Sequence, residues 1–228
     1  MTPPALRLEG VGVRLGDVDV LADVTLDLDA RTVAVVGENG SGKSTFARLV
    51  GGLVRRDAGD LRVLGLDPER DARELRRRVA LVFSNPDAQI VMPTVREDVA
   101  FSLRPERLSR AESDARVDAA LARFGLGDLA DRSAHDLSGG QKQLLALTGA
   151  FVRGPELVIA DEPTAYLDAR NARRVADHLF EDGHRLLLVT HDLAAAQRCD
   201  AAVLFADGRV RRVGPPAEVV AEYEAMLA

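Results

Sequence analysis

With 228 residues, 46% of them hydrophobic and 29% charged, the chain can form one substantial core with a smaller attached subdomain and is too short for two full domains. A net charge of −6 speaks against binding nucleic acid by phosphate neutralisation, which needs a basic footprint. No run approaches the roughly 20 apolar residues of a membrane span, Met1–Gly10 lacks a signal peptide's apolar centre, and the single cysteine, Cys199, cannot form an internal disulfide, so a cytosolic protein with a buried structural thiol is expected.

Residues 6–36 read as short strands separated by turns. Leu6 and Leu8 alternate with polar neighbours, as do Val24, Leu26 and Leu28, whereas the unbroken apolar run Val33–Val36 reads as a buried strand. After Gly42 the period becomes helical through Phe46, Leu49, Val50 and Leu53, and Gly51, Gly52 and the Asp57–Gly59 turn lead back to a strand at Leu61–Leu64. The basic run Arg70, Arg73, Arg76, Arg77 and Arg78, with Asp71 and Glu74 among it, reads as a solvated helix face rather than a lipid or nucleic-acid patch, and a strand follows at Val79–Phe83.

From about Val95 to Ala150 the pattern is helical and marks the subdomain. Ser109 to Glu112 forms a capping box for a helix ending near Phe124 and Gly125, and a second helix starts after Gly140. Apolar runs at Leu157–Ala160, Arg185–Thr190 and Ala201–Phe205 alternate with helices over Ala169–Phe180 and after Asp192, which implies a mostly parallel sheet. A hairpin at Asp207-Gly208 and a helix from Ala217 close the chain.

Gly37 to Ser44, sequence GENGSGKS, fits G-x-x-x-x-G-K-[S/T] and lies between a predicted strand and a predicted helix, the context the pattern requires. The glycines let the backbone turn tightly, so that its N–H groups and the helix N-terminus surround phosphate oxygens. Gly37, Glu38, Asn39, Gly40, Ser41, Gly42, Lys43, Ser44 and Thr45 are the expected nucleotide-binding set. Lys43 supplies positive charge to the β and γ phosphates, and the Ser44 hydroxyl is a Mg²⁺ ligand. Of the 30 basic residues only Lys43 and Lys142 are lysines, so a lysine here answers a demand for a compact point charge. Asp161 and Glu162 follow a buried strand, where a parallel sheet brings its C-terminal edge beside the phosphate loop. Asp161 is expected to hold Mg²⁺ through water, and Glu162 to act as general base on the attacking water.

The pentapeptide Leu137-Ser138-Gly139-Gly140-Gln141 resembles the signature motif of the ABC ATPase family. The resemblance extends over the chain in order: phosphate loop, signature, Asp161-Glu162, Thr164 to Asp168 like that family's D-loop, and His191 like its switch histidine. It implies an α/β P-loop NTPase of ABC type, with a mixed central sheet, an N-terminal antiparallel β subdomain and an inserted helical subdomain. The expected boundaries are one domain over 1–228, with a core of about 1–90 and 154–228 and a helical part of about 91–153. The resemblance further implies that two subunits, as a homodimer or a heterodimer with another ABC ATPase, sandwich two ATP molecules. Ser138, Gly139, Gly140 and Gln141 of one subunit would face the γ-phosphate held by the other, His191 would bridge that phosphate and Glu162, and Asp168 would cross the interface.

The segment Val82 to Val95, followed by Glu97, Asp98 and Phe101, is similar to the energy-coupling-factor branch of that family, which imports vitamins such as biotin, or cobalt and nickel ions. That similarity implies a transmembrane coupling subunit, a substrate-binding membrane subunit, no nucleic acid, and a place on the cytoplasmic face of the membrane. A soluble ABC ATPase acting on DNA or ribosomes is the alternative. Against it, the chain has one nucleotide motif, and only 95 positions separate Lys43 from Ser138, too few for an inserted coiled coil. Two positions depart from the family pattern. Ser84 stands where a glutamine usually approaches the metal, so a bridging water replaces direct contact and basal hydrolysis is expected to be weak; Gln89 is not given that role. Leu15 stands where an aromatic ring usually stacks on adenine, and about 1 kcal/mol of stacking is lost.

Overall fold

The computed structural model describes residues 4–181 and 183–227. Residues 1–3, 182 and 228, and with them the first part of Met1–Gly10 and both ends of the expected 1–228 domain, lie outside the described residues. In chain order the strands and helices are β1 (Leu6–Leu15), β2 (Val18–Leu28), β3 (Thr32–Gly37), α1 (Lys43–Val50), β4 (Ala58–Val63), α2 (Ala72–Arg78), β5 (Val79–Val82), α3 (Val95–Leu103) and α4 (Arg110–Arg123). There follow α5 (Gly139–Phe151), β6 (Leu157–Asp161), α6 (Ala169–Glu181), β7 (Arg185–Val189), α7 (Leu193–Gln197), β8 (Ala201–Ala206), β9 (Arg209–Gly214) and α8 (Pro216–Leu227).

Six strands form the central sheet in the order β5-β6-β7-β3-β8-β9. The first five are parallel and β9 closes the edge antiparallel through the Asp207-Gly208 turn. Each inner strand is covered on both faces, which is why its sequence is continuously apolar. Along β3, Val33 and Val35 join the core under the N-terminal sheet, while Ala34 and Val36 join the core that includes α3, α4, α5 and α8.

The N-terminal sheet, β2-β1-β4, is antiparallel throughout. Its first two strands are longer than the short strands expected from the sequence. Gly10, with φ 60, and Gly12 sit at register shifts inside β1 instead of ending it, because a bulge absorbs the residue that would otherwise break the ladder. Helix α1 stops at Val50, so Leu53, expected on its buried face, lies beyond it and is exposed.

Three helices of the helical layer begin with the same device. Thr94 with Glu97, Ser109 with Glu112 and Ser138 with Gln141 each form a reciprocal capping box, of which only the second was read from the sequence. Cys199 is buried; that burial, with Asp200 adding to it, pushes the thiol up to about 12 and keeps it protonated.

The connection from β4 to α2 is built around one buried carboxylate. Asp67 accepts two bonds from the Arg56 guanidinium, at 2.9 and 3.3 Å, and the N–H groups of Glu69 and Arg70 at 2.9 and 3.2 Å. Burial alone would raise its pKa, but the Arg56 bond and the two N–H groups outweigh it and hold the carboxyl at about 2. A folded pKa below the unfolded one means stability that is present above the unfolded value near 3.8 and is lost as pH falls through about 2. Asp67→Asn is expected to lower unfolding stability by about 2 kcal/mol at pH 7, with the gap to wild type narrowing below pH 3. Urea denaturation at the two pH values checks this; equal midpoints at pH 7 would show that the network does not stabilise the fold.

Candidate active site

Because β6, β7 and β3 are parallel neighbours, their carboxyl ends deliver Asp161, His191 and the phosphate loop to one edge of the sheet. The loop is wedged between backbones. A Cβ on Gly37 would lie 2.2 Å from the Phe205 carbonyl oxygen, and one on Gly42 would lie 2.9 Å from the Val20 carbonyl oxygen. With φ 143 and 101, both positions also have a backbone that other residues rarely adopt. Gly42 caps α1 without a side-chain bond, and the Phe46 N–H begins the helical ladder by donating to its carbonyl at 2.8 Å.

Inside this turn Lys43 is buried, and its Nζ donates to the carbonyl oxygens of Gly37 and Glu38 at 2.7 and 2.6 Å. Burial lowers the ammonium's pKa, while Glu162, Asp161 and Glu38 act to raise it. Ser41 Oγ is buried without a protein partner, a polar atom that a phosphate oxygen would satisfy. The Ser44 hydroxyl donates to Asp161 Oδ1 at 3.0 Å. Burial raises the Asp161 pKa, opposed by Ser44, Arg48 and Lys43. A hydroxyl and a carboxylate so placed are hard oxygen donors of the type Mg²⁺ takes. The donor set therefore fits a magnesium ion whose other partners come from phosphate and water; among the described residues no cluster of three or more His, Cys, Asp or Glu offers an all-protein metal cage.

Glu162 has φ 50 and donates its N–H to the Val189 carbonyl at 2.9 Å, turning its side chain off the strand direction. Its Oε2 lies 2.7 Å from His191 Nδ1. An ionised carboxylate only accepts, so in that state Nδ1 carries the hydrogen and Nε2 is left for another partner. Glu162, His191, Asn39 and Ser84 line one open cavity of about 710 Å³, together with Thr164 to Leu167. Ser84 thus reaches the chamber of the two expected catalytic residues.

The remaining predicted site residues are not brought there. Ser138, Gly139, Gly140, Gln141 and Asp168 do not line this cavity. Gln141 Oε1 accepts the Ser138 N–H at 2.9 Å within the capping box, and Asp168 caps α6 through the N–H of Asn171 at 2.9 Å. Leu15 is 49% exposed and pairs with Val18 at the tip of the β1-β2 hairpin, so the two offer an aliphatic platform instead of an aromatic one.

Sequence reasoning missed the braces made by three side chains. Gln89 accepts the Phe83 N–H at 2.7 Å and donates to the Leu81 carbonyl at 3.0 Å, and the buried Gln143 of α5 donates to the Phe83 carbonyl at 3.1 Å. Lys142, the second lysine, pairs with Asp87 at 2.7 Å. These contacts tie the Ser84 segment to the helix that Ser138 caps. Only the preference for arginine elsewhere marked Lys142 as unusual.

A family description for "ABC transporter" matches residues 21–165. The "Biotin transport ATP-binding protein BioM" of Rhizobium etli is 39% identical over 223 residues, covering 98% of this chain and 99% of that protein. The "Energy-coupling factor transporter ATP-binding protein EcfA1" of Bacillus subtilis is 40% identical over 192 residues, covering 82% and 68%. Among solved structures, cbiO1 from Clostridium perfringens, described as part of the ABC transporter complex cbiONQ, superposes with a TM-score of 0.85 at 31% identity, covering 99% of this chain and 94% of that one. A dimeric ATP-binding cassette bound to ADP and phosphate superposes with a TM-score of 0.81 at 26% identity, covering 92% and 98%.

Ser84→Gln is expected to raise the ATP turnover of the isolated chain about threefold or more, a change of about 0.7 kcal/mol in the barrier. Steady-state phosphate release at saturating ATP measures it, and equal rates would remove Ser84 as a determinant of basal activity.

Proposed function

The chain belongs to the ABC transporter family, and on that footing we propose how its residues serve as the ATP-hydrolysing subunit of an energy-coupling-factor importer. ABC ATPases dimerise and work with membrane subunits. The observation that carries the reading is the joint placement of the Lys43 loop, Asp161, Glu162 and His191 at one sheet edge, with Glu162 and His191 in direct contact at 2.7 Å.

Gly37, Glu38, Asn39, Gly40, Ser41, Gly42, Lys43, Ser44 and Thr45 hold the nucleotide. Lys43 exchanges its two loop carbonyls for phosphate oxygens when ATP enters. Ser44 and Asp161 hold Mg²⁺, which when bound supplies positive charge against the charge developing on the phosphates. Glu162 takes the proton of the attacking water, and His191 fixes the carboxylate through Nδ1 and faces the γ-phosphate through Nε2. Ser84, which lines the chamber, reaches the metal position only through a bridging water. Ser138, Gly139, Gly140 and Gln141, at the N-terminus of α5, serve the γ-phosphate held by a second subunit, and Asp168 lies at that interface. The second subunit is another copy or a related ABC ATPase.

The membrane partner is a transmembrane coupling subunit, accompanied by a substrate-binding membrane subunit. It docks in the groove of about 350 Å³ between β5 and α3, whose lining includes Leu81, Gln89, Phe101 and Pro105. Phe101 is exposed there, and nearby Val91 is 61% exposed, whereas Val95 is fully buried and Ile90 packs on the core. So the apolar stretch from Ile90 to Val95 divides between core and outward face. Among the described residues no helix is long and apolar enough to cross a membrane. As the partner of a membrane subunit, the chain sits peripherally, on the cytoplasmic face. Its one domain divides into a core of about 1–90 and 154–228 and a helical part of about 91–153. The cargo is a vitamin such as biotin, supported by the name of the Rhizobium relative, or cobalt or nickel ions.

Affinity purification of the chain from detergent-solubilised membranes is expected to recover a polytopic membrane protein with it. Recovery only as a soluble protein bound to nucleic acid would sink the importer reading.

A further inference from the structure

The loop from Glu162 to α6 is held in a conformation that its residues do not favour. Glu162 has φ 50 and Tyr166 φ 64, both in the left-handed region, where a side chain meets its own backbone. Tyr166 is 97% exposed, so packing of its ring does not hold the loop. Its near end is tied by the Glu162 N–H to Val189 and by the contact with His191.

At the far end Leu167 packs on the core, the Ala172 N–H donates to the Asp168 carbonyl at 2.8 Å, and Asn171 holds the Asp168 side chain twice. The Asn171 N–H donates to Asp168 Oδ1 at 2.9 Å, an ordinary helix cap, and its side-chain Nδ2 donates to Asp168 Oδ2 at 2.8 Å. The cap needs only the first of these. The same amide group lies against Gly140: a Cβ built there would sit 2.5 Å from Asn171 Cγ and 2.6 Å from Nδ2. Gly140 is thus required for the two to meet. α5 and α6 pack side by side at this point.

We propose that Asn171 is a positioning residue for hydrolysis, whose amide holds the Glu162–Asp168 loop and the Ser138–Gly140 turn of one chain at a fixed separation. Glu162, at the start of the first segment, serves the nucleotide bound by the chain itself, while Asp168 at its end and the second segment face the partner, so one side chain sets the alignment of both sites. The inference rests on the reading of Glu162 and of the signature turn given above.

Two variants separate this role from a merely structural one. Asn171→Ala keeps the backbone bond to Asp168 but loses the amide and opens space beside Gly140. Asn171→Asp keeps the shape and turns the donor into a second carboxylate facing Asp168. A carboxylate placed where the amide lies 2.8 Å from Asp168 repels it, so Asp is the worse variant in either role, and a structural role predicts that kcat falls only as far as the melting temperature does. The positioning role predicts, in both variants, a loss of kcat beyond any change in melting temperature. Both variants should show a KM for ATP within about twofold of wild type, kcat lower by roughly tenfold or more, and the deeper loss in Asn171→Asp, with melting temperatures that do not follow kcat. Wild-type kcat in Asn171→Asp, or losses of kcat that track the melting temperature, would overturn the proposal. Glu162→Gln, assayed alongside, separates the two readings: wild-type turnover there would remove Glu162 as the base, while the comparison of kcat with melting temperature in the Asn171 variants still decides the positioning role.

Discussion

The site depends on a close approach of backbones at the phosphate loop. Gly37 and Gly42 let the loop settle between the carbonyls of Phe205 on β8 and Val20 on β2, where no side chain fits. The Ala22 N–H donates to the Gly208 carbonyl at 2.9 Å, and the Gly208 N–H donates to the Ser41 carbonyl at 3.1 Å. The loop is therefore also the joint at which the N-terminal sheet meets the central one. Once it is wedged there, the parallel register of β3, β7 and β6 determines where Asp161, Glu162 and His191 fall.

On the function proposed above, that arrangement leaves the chain with two unlike halves of a site. One half gathers the lysine, the metal-type oxygens of Ser44 and Asp161, the carboxylate and the histidine. The other half, the turn at Ser138–Gly140, is attached to the first by side chains: Gln143 and Lys142 connect its helix to the Ser84 segment, and Asn171 connects its second glycine to Asp168. These polar contacts add to an apolar core that α5 shares with β3, β5 and β6, through Leu144, Leu145, Leu147 and Phe151, so the turn is carried on a helix packed against the sheet.

Much of this was legible in the sequence, for identifiable reasons. The inner strands stand out because both faces of β3 and β6 are buried, and the runs Val33–Val36 and Leu157–Ala160 within them are accordingly all apolar. The phosphate loop and the Asp161-Glu162 pair are contiguous motifs, readable without partners. What escaped reading has its cause at long range or in local detail. The lengths of β1 and β2 were obscured because Gly10 and Gly12 mark bulges that look like strand ends. Gln141 was read only as a ligand residue, although Ser138-x-x-Gln141 is itself a capping box that the same rule would have found. Gln89, Gln143 and Asn171 carry no motif, since each acquires its role from a partner supplied by the fold.

The central claim is that the nucleotide site of one chain is completed by a second subunit. It is tested most directly by measuring ATP hydrolysis per chain across a dilution series while sedimentation reports the mass present. The account predicts that activity per chain falls on dilution, together with an ATP-dependent species of twice 24.5 kDa. Undiminished turnover per chain in a solution shown to contain only the 24.5 kDa monomer would contradict it.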